Sequence, residues 1–401
     1  MSTSFTEDLS ELGAAFVQDP YPVYARLREK GPVHHVRTEA SGAYWLVVGR
    51  AEARAALADP RLSNDIRHSA AWQDDGGNAV GLNMVQTDPP QHTRLRKLVA
   101  QAFTPRRIEA MRTGIQKTTD ELLDEMLPLG RVDLVEAFAL PLPLAVICEL
   151  LGVPAADRKT FHHWYLESTD FSRPEAAMAA AQAMTGYLAE LIETKRATAG
   201  DDLLSALVRT MDDDGDQLSS EEMLGMAFLL LVAGYETAAN LISSGTLALL
   251  RNPEQLAALR ADWGLLENAV EEMLRFDGSV ETAAFRFTKE PVDIAGTLIP
   301  AGEPVAVVLA AASRDPRHFP EPDRFDIRRD TRGHLAFGHG VHHCLGAPLA
   351  RMEAAIAFRT LLERCPDLAL DTEPAALTWR PSPMLRGVHH LPVTFTPVSG
   401  G

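Results

Sequence analysis

Residues 334–347 read HLAFGHGVHHCLGA, and the rest of the chain is best understood outward from them. One cysteine, Cys344, stands among the glycines Gly338, Gly340 and Gly346. Glycine lets the backbone turn tightly and bring N–H groups close to a sulfur. A helical run, Leu345–Arg364, is expected to begin directly after the cysteine. A thiolate placed there meets the positive end of the helix dipole, which favours the ionised form. Cys344 is therefore set up to be an anion.

Three uses of such a thiolate compete. The first is a zinc site with His339, His342 and His343, but the spacing suits no common structural zinc site and no C-x-x-C pair exists. The second is a nucleophile with a histidine base. The third is an axial ligand to haem iron, held by a tight loop while the opposite axial face stays open to oxygen. A plain buried thiol is the default for a lone cysteine, and the glycine framing argues against it.

The second unusual stretch lies upstream. Ser219 and Glu222 match a capping box. Helical periodicity then runs from Ser220 to Leu250, and Arg251-Asn252-Pro253 ends it. About 30 residues make a rod of roughly 45 Å. It is apolar on most faces, which predicts burial. Inside it, residues 233–238 read AGYETA. A carboxylate such as Glu236 is costly in an apolar helix, and Thr237 can bond back to a carbonyl one turn earlier. One reading is an acid turned toward a polar neighbour or a water. The other is a site where a small ligand approaches the backbone at Ala233 and Gly234, with Glu236 and Thr237 delivering a proton.

Further helices are expected at Tyr21–Lys30, Pro105–Leu127, Ala155–Glu167, Pro174–Arg196, Asp202–Met211, Pro253–Asp262 and Leu265–Phe276. Strands are expected at Val33–Arg37 and Tyr44–Val48, and short strands between Phe285 and Leu309. No repeat or composition shift divides the 401 residues, so residues 1–401 read as one domain, mainly α with a small β-rich subdomain. The net charge of −17 argues against nucleic acid as a partner. Three cysteines are too few for a disulfide scaffold or a four-thiolate cluster, which fits a reducing cytoplasm. The N-terminus has no secretory pattern. The most apolar stretch, Met223–Gly234, is shorter than the ~20 residues of a membrane span, so no membrane anchor is expected.

Together these residues resemble a known family. Phe337-x-x-Gly340-x-x-x-Cys344-x-Gly346 is similar to the haem-thiolate signature of cytochrome P450 monooxygenases. Ala233-Gly234-x-Glu236-Thr237 resembles the family's oxygen-activation motif, and Glu272-Met273-Leu274-Arg275 its E-x-x-R motif. Asp88-Pro89-Pro90-x-His92-Thr93-Arg94-x-Arg96 resembles the segment of soluble bacterial, actinobacterial-type members that meets the haem propionates. The likeness runs from Asp19 to Pro392. Ala238 and Ser313 depart from the commonest pattern, where Thr and Asn are frequent.

The resemblance implies the P450 fold, a triangular prism with haem b between the long central helix and the cysteine-loop helix. It implies Cys344 as the axial thiolate, with Phe337, Gly338, Gly346, Ala233 and Gly234 against the cofactor. His92, Arg96, Arg286 and His342 would hold the propionates. Glu272, Arg275 and Arg324 would form a structural ion-pair network. It implies a substrate pocket of Asn83, Met84, Val85, Leu229, Val232, Ala233, Val280, Thr282, Met384 and Leu385, mostly aliphatic, which suits a bulky apolar molecule. The implied reaction inserts one oxygen atom from O2, by hydroxylation or epoxidation, into a macrolide, polyketide, terpenoid or steroid, in secondary metabolism. Electrons would come from ferredoxin and ferredoxin reductase, because the chain carries no G-x-G-x-x-G fingerprint and no cluster cysteines. Arg106, Arg107, Arg112 and Arg351 are candidates for a basic docking patch on an expected monomer. A peroxide-dependent haem-thiolate enzyme and, remotely, a haem-free cysteine hydrolase are the alternatives.

Overall fold

A computed structural model describes residues 7–39, 41–73, 83–168, 173–210 and 215–397. The chain packs into two compact units, each discontinuous in sequence. One comprises 1–74, 119–139 and 237–401; the other comprises 75–118 and 140–236. Two of the crossing points fall inside helices, Pro105–Met126 and Ser220–Arg251.

The first unit carries the β structure. Its six-stranded sheet runs, in spatial order, Glu7–Asp8, Val33–Thr38, Gly42–Val47, Pro304–Val307, Arg286–Thr288 and Leu62–Ser63. The hairpin of Val33–Thr38 and Gly42–Val47 is rich in β-branched and aromatic residues and pairs Val36 with Tyr44. Gly42–Val47 also pairs in parallel with Pro304–Val307, 260 positions away at Trp45↔Val305. One face of this sheet packs Val47, Val305 and Val307 against Ala53, Ala56 and Leu57 of the helix Arg50–Ala58. Leu335, in the cysteine loop, belongs to the same cluster, so the loop is rooted in the sheet core. Residues 131–133, 369–370 and 392–394 form a second, three-stranded sheet.

In the second unit the helix Gln91–Ala102 is tied to the start of Ser220–Arg251. Arg94 bonds Asp216 and donates to Glu222 at 2.6 Å. Glu222 in turn completes the capping box, receiving Ser219 N–H at 2.9 Å, while Ser219 Oγ accepts Glu222 N–H at 3.2 Å.

Most of the expected helices form within a residue or two of the sequence reading. The structure adds Arg50–Ala58, Gln91–Ala102 and Pro141–Leu151. Asp202–Met211 narrows to Leu203–Arg209, and Met211 lies outside the described residues. The cysteine-loop helix starts at Ala347 rather than Leu345, leaving Leu345 and Gly346 in a turn between the sulfur and the first helical residue. The central helix, Ser220–Arg251, is the one described helix long and apolar enough to cross a membrane by length and composition. Residues 238–249 of it are buried throughout, which is the pattern of a core helix.

Candidate active site

The cysteine loop is built by backbone turns that need glycine. Gly338 and Gly340 have φ of 72° and 76°, in the left-handed region. A Cβ on Gly340 would lie 2.7 Å from the Leu57 carbonyl oxygen, so the loop lies directly on the helix Arg50–Ala58. Gly338 N–H donates to Leu335 O at 2.8 Å, and Cys344 N–H donates to Phe337 O at 2.9 Å. Leu335 N–H reaches Ser313 Oγ at 3.1 Å. The loop thus closes on itself across the cysteine.

The three thiols differ in setting. Cys148 and Cys365 are buried, and burial pushes them up to about 12 and about 11, so both are inert neutral thiols. Cys344 is exposed. A Cβ at Gly346 would lie 3.8 Å from its sulfur, an ordinary contact, so Gly346 is the neighbour of the sulfur without being sterically required there. No group of three or more His, Cys, Asp or Glu side chains is gathered for a metal ion among the described residues, so the zinc reading with His339, His342 and His343 has no support. His339 Nε2 instead accepts from Arg54 Nε at 3.2 Å.

In the same unit Arg286 is buried on the strand Arg286–Thr288, and His342 is half-buried in the turn Gly340–His342. Val280 pairs with Leu385, and the Met384 carbonyl accepts Glu281 and Thr282 N–H at 2.8 and 3.2 Å. Two of the proposed pocket segments are therefore stitched together by backbone. Behind them Tyr24 bonds Glu281, and Arg386 donates to Asp277 at 2.7 Å while lying 3.7 Å from the Trp379 ring centroid.

The second unit holds the other predicted residues. His92 is buried and Arg96 half-buried on the helix Gln91–Ala102. Asn83 and Met84 are buried; Asn83 Oδ1 caps the turn by accepting Val85 and Gln86 N–H at 3.0 and 3.2 Å. The central helix departs from the expectation of full burial. Leu229, Gly234 and Glu236 are half-buried, and Val232 and Ala233 are exposed; in the first unit, the next residue, Thr237, is half-buried as well. The two small residues divide their work. A Cβ on Gly234 would lie 2.9 Å from Ile147 Cδ1, so Gly234 serves packing against the helix Pro141–Leu151, while Ala233 is the open position.

The E-x-x-R pair is fully buried: Arg275 Nε and Nη2 donate to Glu272 at 2.6 and 2.8 Å. Arg275 Nη1 also donates to the carbonyls of Ser313 and Pro322 at 3.1 and 2.9 Å. The third member is not Arg324. The Arg324 side chain is 58% exposed and, among the described residues, pairs with Glu321 and Asp326, at 3.5 and 3.9 Å. Arg324 contributes its carbonyl, 3.4 Å from Arg275 Nη2. Arg329, 10% exposed, takes the expected place and reaches Glu272 Oε1 at 3.3 Å. Of the proposed docking arginines, Arg107 bonds the Asp201 carbonyl, Arg112 bonds Glu109 at 2.6 Å and Arg351 bonds Glu271 at 2.6 Å, while the Arg112 and Arg351 side chains stay 53% and 41% exposed.

Comparison with known proteins decides the family. The profile described as Cytochrome P450 matches residues 159–373. The chain is 58% identical over 388 residues to the cytochrome P450 monooxygenase PikC of Streptomyces venezuelae, covering 96% of this chain and 93% of that one. The chain belongs to the cytochrome P450 family.

It is also 47% identical to 6-deoxyerythronolide B hydroxylase of Saccharopolyspora erythraea, covering 94% of this chain and 96% of that protein. The ligand-free P450 monooxygenase TamI superposes with a TM-score of 0.90 at 47% identity, covering 98% of this chain and 94% of TamI. The fold is that of a cytochrome P450, and the chain is a haem-thiolate monooxygenase with Cys344 as the axial ligand. The residues present fit that cofactor. The loop offers one exposed thiol, and in the same unit the buried Arg286 and half-buried His342 offer a cation and an imidazole of the kind that suits propionates.

Proposed function

We propose that this P450 hydroxylates or epoxidises a macrolide- or polyketide-class substrate in secondary metabolism, as a soluble, cytoplasmic, single-domain monomer supplied with electrons by a ferredoxin and its reductase. The observation that carries the substrate class is likeness along nearly the whole chain to enzymes named for such work. One is the hydroxylase of 6-deoxyerythronolide B, and another, 38% identical, is the polyketide biosynthesis P450 PksS of Bacillus subtilis. The TamI structure with tirandamycin C bound superposes at a TM-score of 0.87. Crossing points that fall inside helices support one folding domain.

The haem supplies oxygen activation and the electron-transfer chemistry when bound. The chain's own residues have defined tasks. Cys344 would hold the iron as a thiolate and would supply electron donation to it. Arg286, His342, His92 and Arg96 would hold the propionates. Glu236 and Thr237 would hold and pass protons, a carboxylate and a hydroxyl being groups able to accept and donate them. Val280, Thr282, Met384, Leu385, Leu229, Val232, Ala233 and Asn83–Val85 bind substrate and exclude water.

The test is reconstitution with ferredoxin, ferredoxin reductase and NADPH against a panel of macrolactones, linear polyketides, vitamin D3 and small polar compounds. Incorporation of one 18O atom from 18O2 into a macrolactone or polyketide is the expected result. Turnover confined to small polar compounds removes the substrate proposal. Turnover with peroxide and none with the ferredoxin system removes the electron-donor proposal.

A further inference from the structure

Behind the cysteine loop lies a charged group that the ligation itself does not require. Glu271, on the helix Leu266–Asp277, stands next to Glu272 of the E-x-x-R pair but serves different partners. Its Oε1 accepts from Arg351 Nε at 2.6 Å, and its Oε2 accepts from Arg351 Nη2 at 2.9 Å. The same Oε2 lies 2.9 Å from His334 Nε2. His334 Nδ1 accepts the Ala336 N–H at 3.2 Å, so the proton of the neutral ring sits on Nε2 and is donated to Glu271. Burial raises the Glu271 carboxyl, but the bonds from His334 and Arg351 outweigh it and hold the group at about 2, ionised throughout the working range.

Arg351 carries the arrangement forward. Its guanidinium carbon lies 4.5 Å from the centroid of the Phe337 ring, a cation–π contact. The Phe337 carbonyl receives the Cys344 N–H at 2.9 Å. Arg351 is held above the usual guanidinium range first by its bonds to Glu271 and also by the charge of Cys344.

We propose that Glu271, Arg351 and His334 are positioning residues that brace Phe337 and the Cys344 loop and set the reduction potential of the bound haem. A fixed cation near the sulfur favours the reduced haem, which has gained one negative charge, and a fixed anion opposes it. Arg351 supplies the first and Glu271 the second. The charge geometry therefore gives variants of opposite sign. Arg351→Met removes the cation and shifts the potential to more negative values. Glu271→Gln removes the anion, leaves Arg351 uncompensated and shifts it to more positive values. The double variant returns close to the native value. Arg351→Lys keeps the charge without the bidentate fork and stays nearer native than Arg351→Met.

The inference rests on Cys344 ligation, and the experiment separates the two. The reduced, CO-treated spectrum of the native holoenzyme is read first; absence of the red-shifted thiolate band there overturns the ligation. Mediated redox titrations with a chemical reductant follow, so no protein electron donor contributes to the readout. Arg359→Gln is the control, because it lies on the same helix, bonds Glu363 at 3.0 Å and faces Trp263. Opposite shifts in Arg351→Met and Glu271→Gln, with Arg359→Gln unmoved, are expected. Shifts in the same direction mean only a loosened loop, and potentials equal to the control mean no coupling; either overturns the proposal. If Arg351→Met loads no haem, Glu271→Gln against Glu271→Asp carries the test. A positive shift in the first, restored by the second, upholds the proposal, and equal potentials reject it.

Discussion

Replacing Arg329 by alanine should destabilise the protein far more than replacing Arg324, although both belong to the same arginine-rich stretch. Arg329 Nε reaches the buried Glu272 carboxylate at 3.3 Å. Its Nη2 donates to the Glu321 and Arg324 carbonyls at 2.9 and 3.0 Å, and its Nη1 bonds the Pro320 carbonyl. Glu272 stays paired with Arg275 in the variant, so no orphaned charge is created. The loss is a set of charge-assisted bonds, about 1.5–3 kcal/mol each in isolation and not additive, which gives roughly 2–4 kcal/mol. Arg324 makes only exposed ion pairs, at 3.5 and 3.9 Å, for which about 0–1 kcal/mol is typical. With an unfolding entropy of about 2.1 cal/mol/K per residue, a chain of 401 residues loses about 1.2 °C in Tm per kcal/mol. Arg329→Ala should therefore lower Tm by about 2–5 °C and Arg324→Ala by about 1 °C or less. Differential scanning fluorimetry of the holoenzymes, with haem content measured in parallel, reads both. An equal or larger drop for Arg324→Ala would refute the assignment of Arg329 to the network.

The remaining predictions concern the loop and a buried acid. Cys344→Ala should abolish the red-shifted ferrous–CO band while the far-UV circular dichroism keeps its helical form; a retained band rules out this ligand. Gly340→Ala should cost more stability than Gly338→Ala in thermal unfolding. Both have positive φ, which costs a Cβ roughly 1–2 kcal/mol, but only at 340 would the new Cβ also strike a backbone carbonyl, at 2.7 Å. Glu353, on the helix Ala347–Arg364, is raised by burial from 4.5 to about 8. The folded protein then holds a proton that the unfolded chain releases above pH 4.5, so stability falls as pH rises from there to about 8, by on the order of a few kcal/mol. Glu353→Gln should flatten that slope and raise Tm at pH 8 relative to the native protein; parallel Tm–pH curves for the two would contradict it.

What the sequence determined by itself is local. Helix Tyr21–Lys30 falls where the residue pattern places it, because period and chain breakers act over a few residues. The capping box at Ser219 and Glu222 forms because both partners lie three positions apart. The cysteine loop was legible for the same reason: its glycines and its thiol sit within ten positions of one another. The tertiary structure decided which of several chemically identical candidates is used. Arg324, Arg328 and Arg329 look alike in sequence, and only the approach of this segment to the helix Leu266–Asp277 selects Arg329 for Glu272. Arg351 reads as a surface cation until Glu271, 80 positions earlier, is brought beside it. Gly234 reads as room for a ligand until Ile147 is seen to fill that room. In each case the partner lies far along the chain, so only the tertiary fold brings the two together, and at Glu272 burial removes the water that would otherwise leave the alternatives equal in energy.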